Sequence, residues 1–149
     1  MPLQTAYTAR ILPAYEGMVA DSREHEIESR IVETAAGIGF GKVVVVGTSD
    51  QQVRISEASR AFVGISEATH QSELGGLSDL YPQYANIPIM RYGMIWVLAS
   101  VAVAPGQPAY FVPATGVLTN VTSGNTLIPG GTFESSTSGS GLAKLRIAG

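Results

Sequence analysis

Glu24-His25-Glu26-Ile27-Glu28 packs three carboxylates and an imidazole into five consecutive residues, a density that invites a cation-binding or acid–base reading. In an extended chain alternate side chains share a face, so Glu24, Glu26 and Glu28 line up on one side while His25 joins Ile27 on the other. Calcium takes roughly six to eight oxygens from a wrapped loop, and a straight segment cannot supply them. A solvated charged face or an inter-subunit ion-pair patch fits these residues better. The second histidine, His70, stands near Glu67, Glu73 and Asp79 at irregular spacing. A His–carboxylate pair still needs a nucleophile, and no serine sits in a Gly-x-Ser-x-Gly elbow; Ser140, between Gly139 and Gly141, lacks the outer glycines. Gly37-x-Gly39-x-Gly41-Lys42 looks like a phosphate cradle, but such loops open a helix whose N-terminal amides face the anion. Here the glycines precede a β-branched run and no Ser or Thr follows the lysine, so a flexible turn is expected. No catalytic residue, cofactor site or metal site is expected, and no small-molecule substrate.

Composition narrows the field further. The chain of 149 residues is about one domain long, and it contains no cysteine, so thiolate chemistry and disulfides are excluded. A net charge of −3 offers no basic field for phosphates, which makes nucleic acid an unexpected partner. Charged residues make up only 14% of the chain, against about 25% in ordinary soluble domains. The deficit is concentrated: the 42 residues from Tyr92 to Phe133 contain no Asp, Glu, Lys, Arg or His. The longest apolar run there, Met94 to Ala104, interrupted only by Ser100, ends at Pro105-Gly106, well short of the ~20 residues of a spanning helix, so no membrane association is expected. The first residues lack the basic start and apolar run of a signal peptide, and synthesis in the cytoplasm is expected. The uncharged stretch therefore belongs to a hydrophobic β core with polar loops, to a surface that meets other protein, or to both at once, and the second reading is favoured.

The elements that would carry these residues read as strands. Residues 1 to 20 sustain neither helical nor strand periodicity and are expected to form an extended arm; residues 21 to 149 form the β-rich domain. In the charged patch Asp21 to Glu33, Ile27 and Ile31 share a face with Ser29, with Glu28 and Arg30 opposite, which is the pattern of a half-buried strand. Lys42 to Val46, Gln52 to Ile55 and Ala61 to Ile65 are further strands. Glu67 to Asn86 reads as a long loop with a short helix over Leu77 to Tyr81. Ile87 to Arg91 and Met94 to Val103 form a bent pair joined at Tyr92-Gly93, where a bulge is expected. Ala109 to Val112, Val117 to Thr119, Thr132 to Glu134 and Leu142 to Ile147 complete the set. Eight to ten short strands with turn signals between them predict an all-β fold, jelly-roll or β-sandwich-like, in a single domain. Trp96, between Ile95 and Val97, is by default a core aromatic, and an interface anchor only if its strand faces a neighbour.

The order of segments resembles a known family. Phe40-Gly-Lys-Val-Val-Val-Val-Gly-Thr48, Phe62-Val-Gly-Ile65, Arg91-Tyr-Gly-Met-Ile-Trp-Val97, Pro105-Gly-Gln-Pro-Ala-Tyr110, Thr115-Gly-Val-Leu-Thr119, Phe133-Glu-Ser-Ser and Gly141-Leu-Ala-Lys-Leu-Arg-Ile147 follow one another as in the structural cement proteins of tailed phages. The resemblance covers residues 17 to 147. It implies a non-enzymatic virion protein with a fold similar to a jelly roll. Such a protein would bind the outer surface of an HK97-like head between capsomers and hold it against internal genome pressure. The implied partners are the major capsid protein and further copies of the chain, as a dimer or trimer. Tyr7, Arg10, Tyr15, Tyr92, Trp96 and Tyr110 are the candidate interface residues, and Arg91 to Glu134 is expected to contribute the self-association surface. The competing reading is a tail-associated or carbohydrate-binding β-sandwich module, which would present exposed aromatic rings to its ligand.

Overall fold

Val43-Val44-Val45-Val46 cannot turn one face to water, because every side chain is apolar and β-branched, so the strand must be covered on both sides. The fold does this by packing two rings of strands against each other. The computed structural model describes residues 14–55, 57, 59–69, 80–113 and 115–148. Among them lie the strands β1 (Glu26–Val32), β2 (Ile38–Gly39), β3 (Val43–Val46), β4 (Gln52–Ile55), β5 (Phe62–Ser66), β6 (Leu80–Tyr81), β7 (Asn86–Ala99), β8 (Pro108–Phe111), β9 (Leu118–Thr119), β10 (Thr126–Phe133) and β11 (Gly141–Ile147), and no helix. The all-β, single-domain expectation holds, in a barrel-like arrangement. Pairings β1-β4-β3-β5-β7 return to β1, and β7-β11-β10-β8-β9 return to β7, so the 14-residue β7 belongs to both rings.

Alternation along the strands assigns the two cores, except in β5, where a register slip at Val63 sets it on the opposite side from Ile65. Val44, Val53, Val63, Ile87 and Ile89 fill the first ring together with Val32, Ile38, Phe40 and Tyr81. Val43, Val45, Ile65 and Met90 lie on its outside and join the larger core of the second ring, with Ile95, Val97, Phe111, Leu118, Ile128, Phe133, Leu145 and Ile147. Val43 pairs with Ile65 and Ile65 with Met90, so one cross-strand row forms the seam between the rings. Much of the uncharged stretch is therefore core: of its large apolar side chains only Tyr92, Val121 and Leu127 are exposed among the described residues. Its lack of charge reflects burial within this chain first.

The fold decides which face of β1 is buried, and two expectations are corrected. In β1 the isoleucines point out, at 37% and 38% exposure, while Glu28 and Arg30 share the inner side with the fully buried Val32. Parity decides this: Val32 closes the core of the first ring, and residues two and four positions earlier must follow it inward. The inward charges satisfy each other, Arg30 Nε lying 2.9 Å from Glu28 Oε1, and Arg30 Nη1 also donates to Asp50 O at 2.7 Å. The helix expected over Leu77 to Tyr81 is absent at Leu80–Tyr81, which pair with Ile38–Gly39. Tyr81 is drawn into the core against Phe40, with ring centroids 5.0 Å apart, and its hydroxyl donates to Glu67 O at 2.6 Å. The strand expected at Thr132 to Glu134 begins six residues earlier, at Thr126. Of the expected arm, residues 1–13 lie outside the described residues; from Ala14, 3% exposed, the chain is part of the folded body. Gly17 donates to Trp96 O and Ala20 to Met94 O, and Val19 bridges Ile95.

The glycine turn before β3 is pinned by one buried hydroxyl. Ser66 is fully buried; its Oγ donates to Gly39 O at 2.6 Å and accepts from Lys42 N at 3.0 Å. Ser66→Ala removes the hydroxyl partner of both partly buried backbone groups and is expected to cost about 1–3 kcal/mol. Thermal unfolding followed by circular dichroism checks this, and an unchanged melting temperature contradicts it.

Candidate functional site

The bend in β7 creates the most distinctive surface of the molecule. The register between β1 and β7 slips between Glu26 and Ile27: Glu26 pairs with Tyr92 and Ile27 with Met90, leaving Arg91 as the extra residue of a bulge. Bulges re-aim side chains, and here Arg91 and Tyr92, consecutive on one strand, are both exposed, Tyr92 at 38%. Gly93 follows with φ of 129°, a value that excludes ordinary side chains and lets β7 turn from one ring into the other.

Tyr92 forms a ridge between two open grooves. One, of about 380 Å³, is lined by Glu26, Phe62, Val63, Arg91, Pro129 and Ile147 beside the tyrosine. The other, of about 400 Å³, is lined by Arg23, Glu24, Gly93, Arg146 and Ile147. Three arginines thus surround one exposed aromatic ring. Arg91 Nη1 lies 3.2 Å from Glu28 Oε2, Arg23 Nε lies 2.8 Å from Asp21 Oδ2, and Arg146 makes no ion pair among the described residues. Tyrosine and arginine are the residues that dominate protein interfaces, because each buries a large rigid surface and still carries hydrogen-bonding groups. The arrangement suits binding of another protein surface. No group of three or more His, Cys, Asp or Glu that could hold a metal occurs among the described residues. Glu28 of the acidic run is engaged by Arg30 and Arg91, and His25 Nδ1 lies 2.9 Å from Arg23 O.

The remaining candidates are dispersed. Tyr15, 50% exposed, sits in the turn that leads to Gly17, so it lies close to Trp96 along the hydrogen-bonded backbone. Trp96 is half-buried on the outer side of β7, and Lys144 Nζ stands 5.4 Å from its ring centroid, a cation–π contact across a directly paired position. Tyr110 is half-buried on β8 opposite the exposed Leu127. Tyr7 and Arg10 lie outside the described residues, as does His70. Sequence reasoning missed Arg23 and Arg146 beside Tyr92. They come from opposite ends of the chain, and no local spacing announces their meeting; the bulge expected at Tyr92-Gly93 was the one available signal.

Two carboxylates elsewhere in the molecule carry opposite shifts. Burial pushes the Glu67 carboxyl above the usual carboxylate range, with the charge of His25 pulling it back in part. Hydrogen bonds from the Thr48 hydroxyl and backbone N–H hold Glu33 below that range, with Arg54 and Arg60 adding to the effect and desolvation opposing it. A raised folded-state pKa means that Glu67 favours folding below its unfolded value near 4.5, and that this contribution is lost as pH rises through the folded value. Glu67→Gln is therefore expected to raise the melting temperature slightly at pH 7, by an amount that solvent screening keeps small, and to leave it unchanged or lower relative to wild type near pH 4. Melts at the two pH values check the sign.

The family model described as structural cement protein (E217 gp24/Pam3 gp6) matches residues 3–148. The solved structure titled "The capsid of Myoviridae Phage XM1" contains a chain similar at 18% identity and a TM-score of 0.77, covering 99% of this chain and 98% of that one. The head fiber gp8.5 N base of bacteriophage phi29 is similar at 11% identity and a TM-score of 0.47, over 84% of this chain and 95% of that one. No curated protein matches.

Proposed function

The chain belongs to the phage structural cement protein family, and on that premise we propose that it binds the outer surface of an HK97-like head between capsomers and stabilises the shell against internal genome pressure. A structural role in the virion, in association with the capsid, follows from the family itself, and it is a non-enzymatic role. The observation that carries the finer reading is the Tyr92 ridge: an exposed aromatic, three arginines and two open grooves at the junction of two rigid rings. A subunit that bridges neighbouring capsomers resists their separation because its own binding energy is lost when they part. Each copy needs only a standard interface of about 1,200–2,000 Å². Many sites on one shell and several contacts per oligomer raise the effective concentration and turn modest affinities into lasting attachment. Tyr7, Arg10, Tyr15, Trp96 and Tyr110 join Tyr92 in this proposal as further contacts, and the protein works as a dimer or trimer.

The deciding experiment uses heads that lack the protein. Purified chain added back is expected to bind them and to raise their resistance to heat or chelating agents. Heads that neither take it up nor gain stability would remove the proposal.

A further inference from the structure

The outer side of β1 is built the wrong way round for a strand that meets water. Ile27 and Ile31 point outward with Ser29 between them, and Tyr84, 71% exposed, lies beside Ser29 and Ile31 in a groove completed by Arg30, Gln51 and Asn86. The same strand also has an open edge. Val32 donates to Ala85 O and accepts from Tyr84 N, while Ile31 donates to Gln51 O on the opposite side. Main-chain groups alternate in direction along a strand, so those of Ile27 and Ser29 face the β4 side with Ile31. There β4 pairs only with Ile31 and Val32, and among the described residues no strand covers Glu26 to Arg30.

We propose that this edge is a pairing surface for a second copy of the chain, whose own β1 adds to it antiparallel across a twofold axis. The occupant is identified by charge complementarity and by the length of edge on offer. Gln52 occupies the position beside Ile31, so a partner strand must stop opposite Arg30; β1 itself begins at Glu26. An antiparallel pair centred on Glu28 fills this space. Glu26 then lies opposite Arg30 of the second copy at both ends, and Ile27 opposite Ser29 with both main chains offering free N–H and C=O groups. The two Glu28 residues meet at the centre without repulsion, because each is already flanked by Arg30 at 2.9 Å and Arg91 at 3.2 Å. The contact is isologous, so it closes at two copies. Shifted one step, the pairing sets side chains of opposite faces against each other; shifted two steps toward the N-terminus, it sets Glu26 against Glu28. The surface is separate from the grooves beside Tyr92, although Glu26 borders one of them.

The test is the mass of the purified chain in sedimentation equilibrium from about 1 µM to about 1 mM, the span between ordinary and weak pairwise affinity. Wild type is expected to be a reversible dimer. Ser29→Pro removes an N–H that the β7 ladder does not use, and Glu26→Arg sets two arginines against each other. Each is expected to weaken the dimer at least about 10-fold with an unchanged circular dichroism spectrum. Glu24→Arg, an equal charge change just outside the paired span, is expected to move it less than about threefold. Should Ser29→Pro perturb the fold, Glu26→Arg decides alone. A wild type that stays monomeric throughout, a trimer, or a dimer indifferent to Glu26→Arg overturns the proposal.

Discussion

Gly93→Val is expected to destabilise the protein by about 3–5 kcal/mol, the sum of a strained backbone and an overpacked contact. The residue sits at φ of 129°, and a Cβ built there would lie 2.6 Å from the Cβ of His25 and 3.3 Å from the Sδ of Met90. Neither neighbour can retreat cheaply. The His25 Cβ is tied to its backbone at the start of β1, and Met90 is fully buried in the seam between the rings. At roughly 2–4 °C per kcal/mol for a domain of this size, the melting temperature should fall by about 10 °C. Gly106→Val is the control: φ there is 88°, but nothing lies within 4 Å of the added Cβ, so only the backbone strain is felt. Equal losses at the two positions would show that the close approach at Gly93 contributes nothing.

The second large effect concerns binding. Tyr92→Ala is expected to lower affinity for heads lacking the protein by at least about 30-fold, the size of loss typical when a central aromatic anchor is truncated. Its ring is 38% exposed and lies outside both core clusters, so the fold should keep its melting temperature within about 2 °C. Val121→Ala removes another exposed apolar side chain, 44% accessible and away from both grooves, and should leave head binding within about threefold. If Tyr92→Ala heads fill as readily as wild type, the ridge is not the contact.

The strands were legible where residue type allowed a single answer. Val43–Val46 has no polar face to misassign, and the glycine after Tyr92 marked the bend to within a residue. Legibility failed where the local pattern and the global fold disagree. Alternation in Ile27 to Ile31 announces a half-buried strand but not which half; the buried Val32, one residue further on, carries the answer, and it has meaning only once the ring is known to close there. Thr126 to Phe133 is hidden because Pro129-Gly130-Gly131 reads as a turn, whereas the register slip between Leu127 and Thr132 absorbs those residues inside one strand. Leu80–Tyr81 depends on Phe40, some forty positions away. The uncharged stretch is ambiguous for a similar reason: composition reports that charge is missing, and only the topology reports that Ile95, Phe111, Leu118 and Phe133 face inward. At the candidate site Tyr92 can be singled out from the sequence, but its arginine neighbours cannot, since Arg23 and Arg146 meet only through the pairing of β11 with β7 and the slip of β1.

The continuity of β7 has a mechanical meaning. A clasp assembled from two separately folded halves fails at the non-covalent joint between them, which can peel one contact at a time. Here tension applied to one ring passes into the other along a single covalent backbone, and ladders on both flanks of that backbone must shear before the halves part. If the protein clasps a shell as proposed, it gains from such a spine, since slow creep at an internal joint is removed and yielding is left to the contacts with its neighbours.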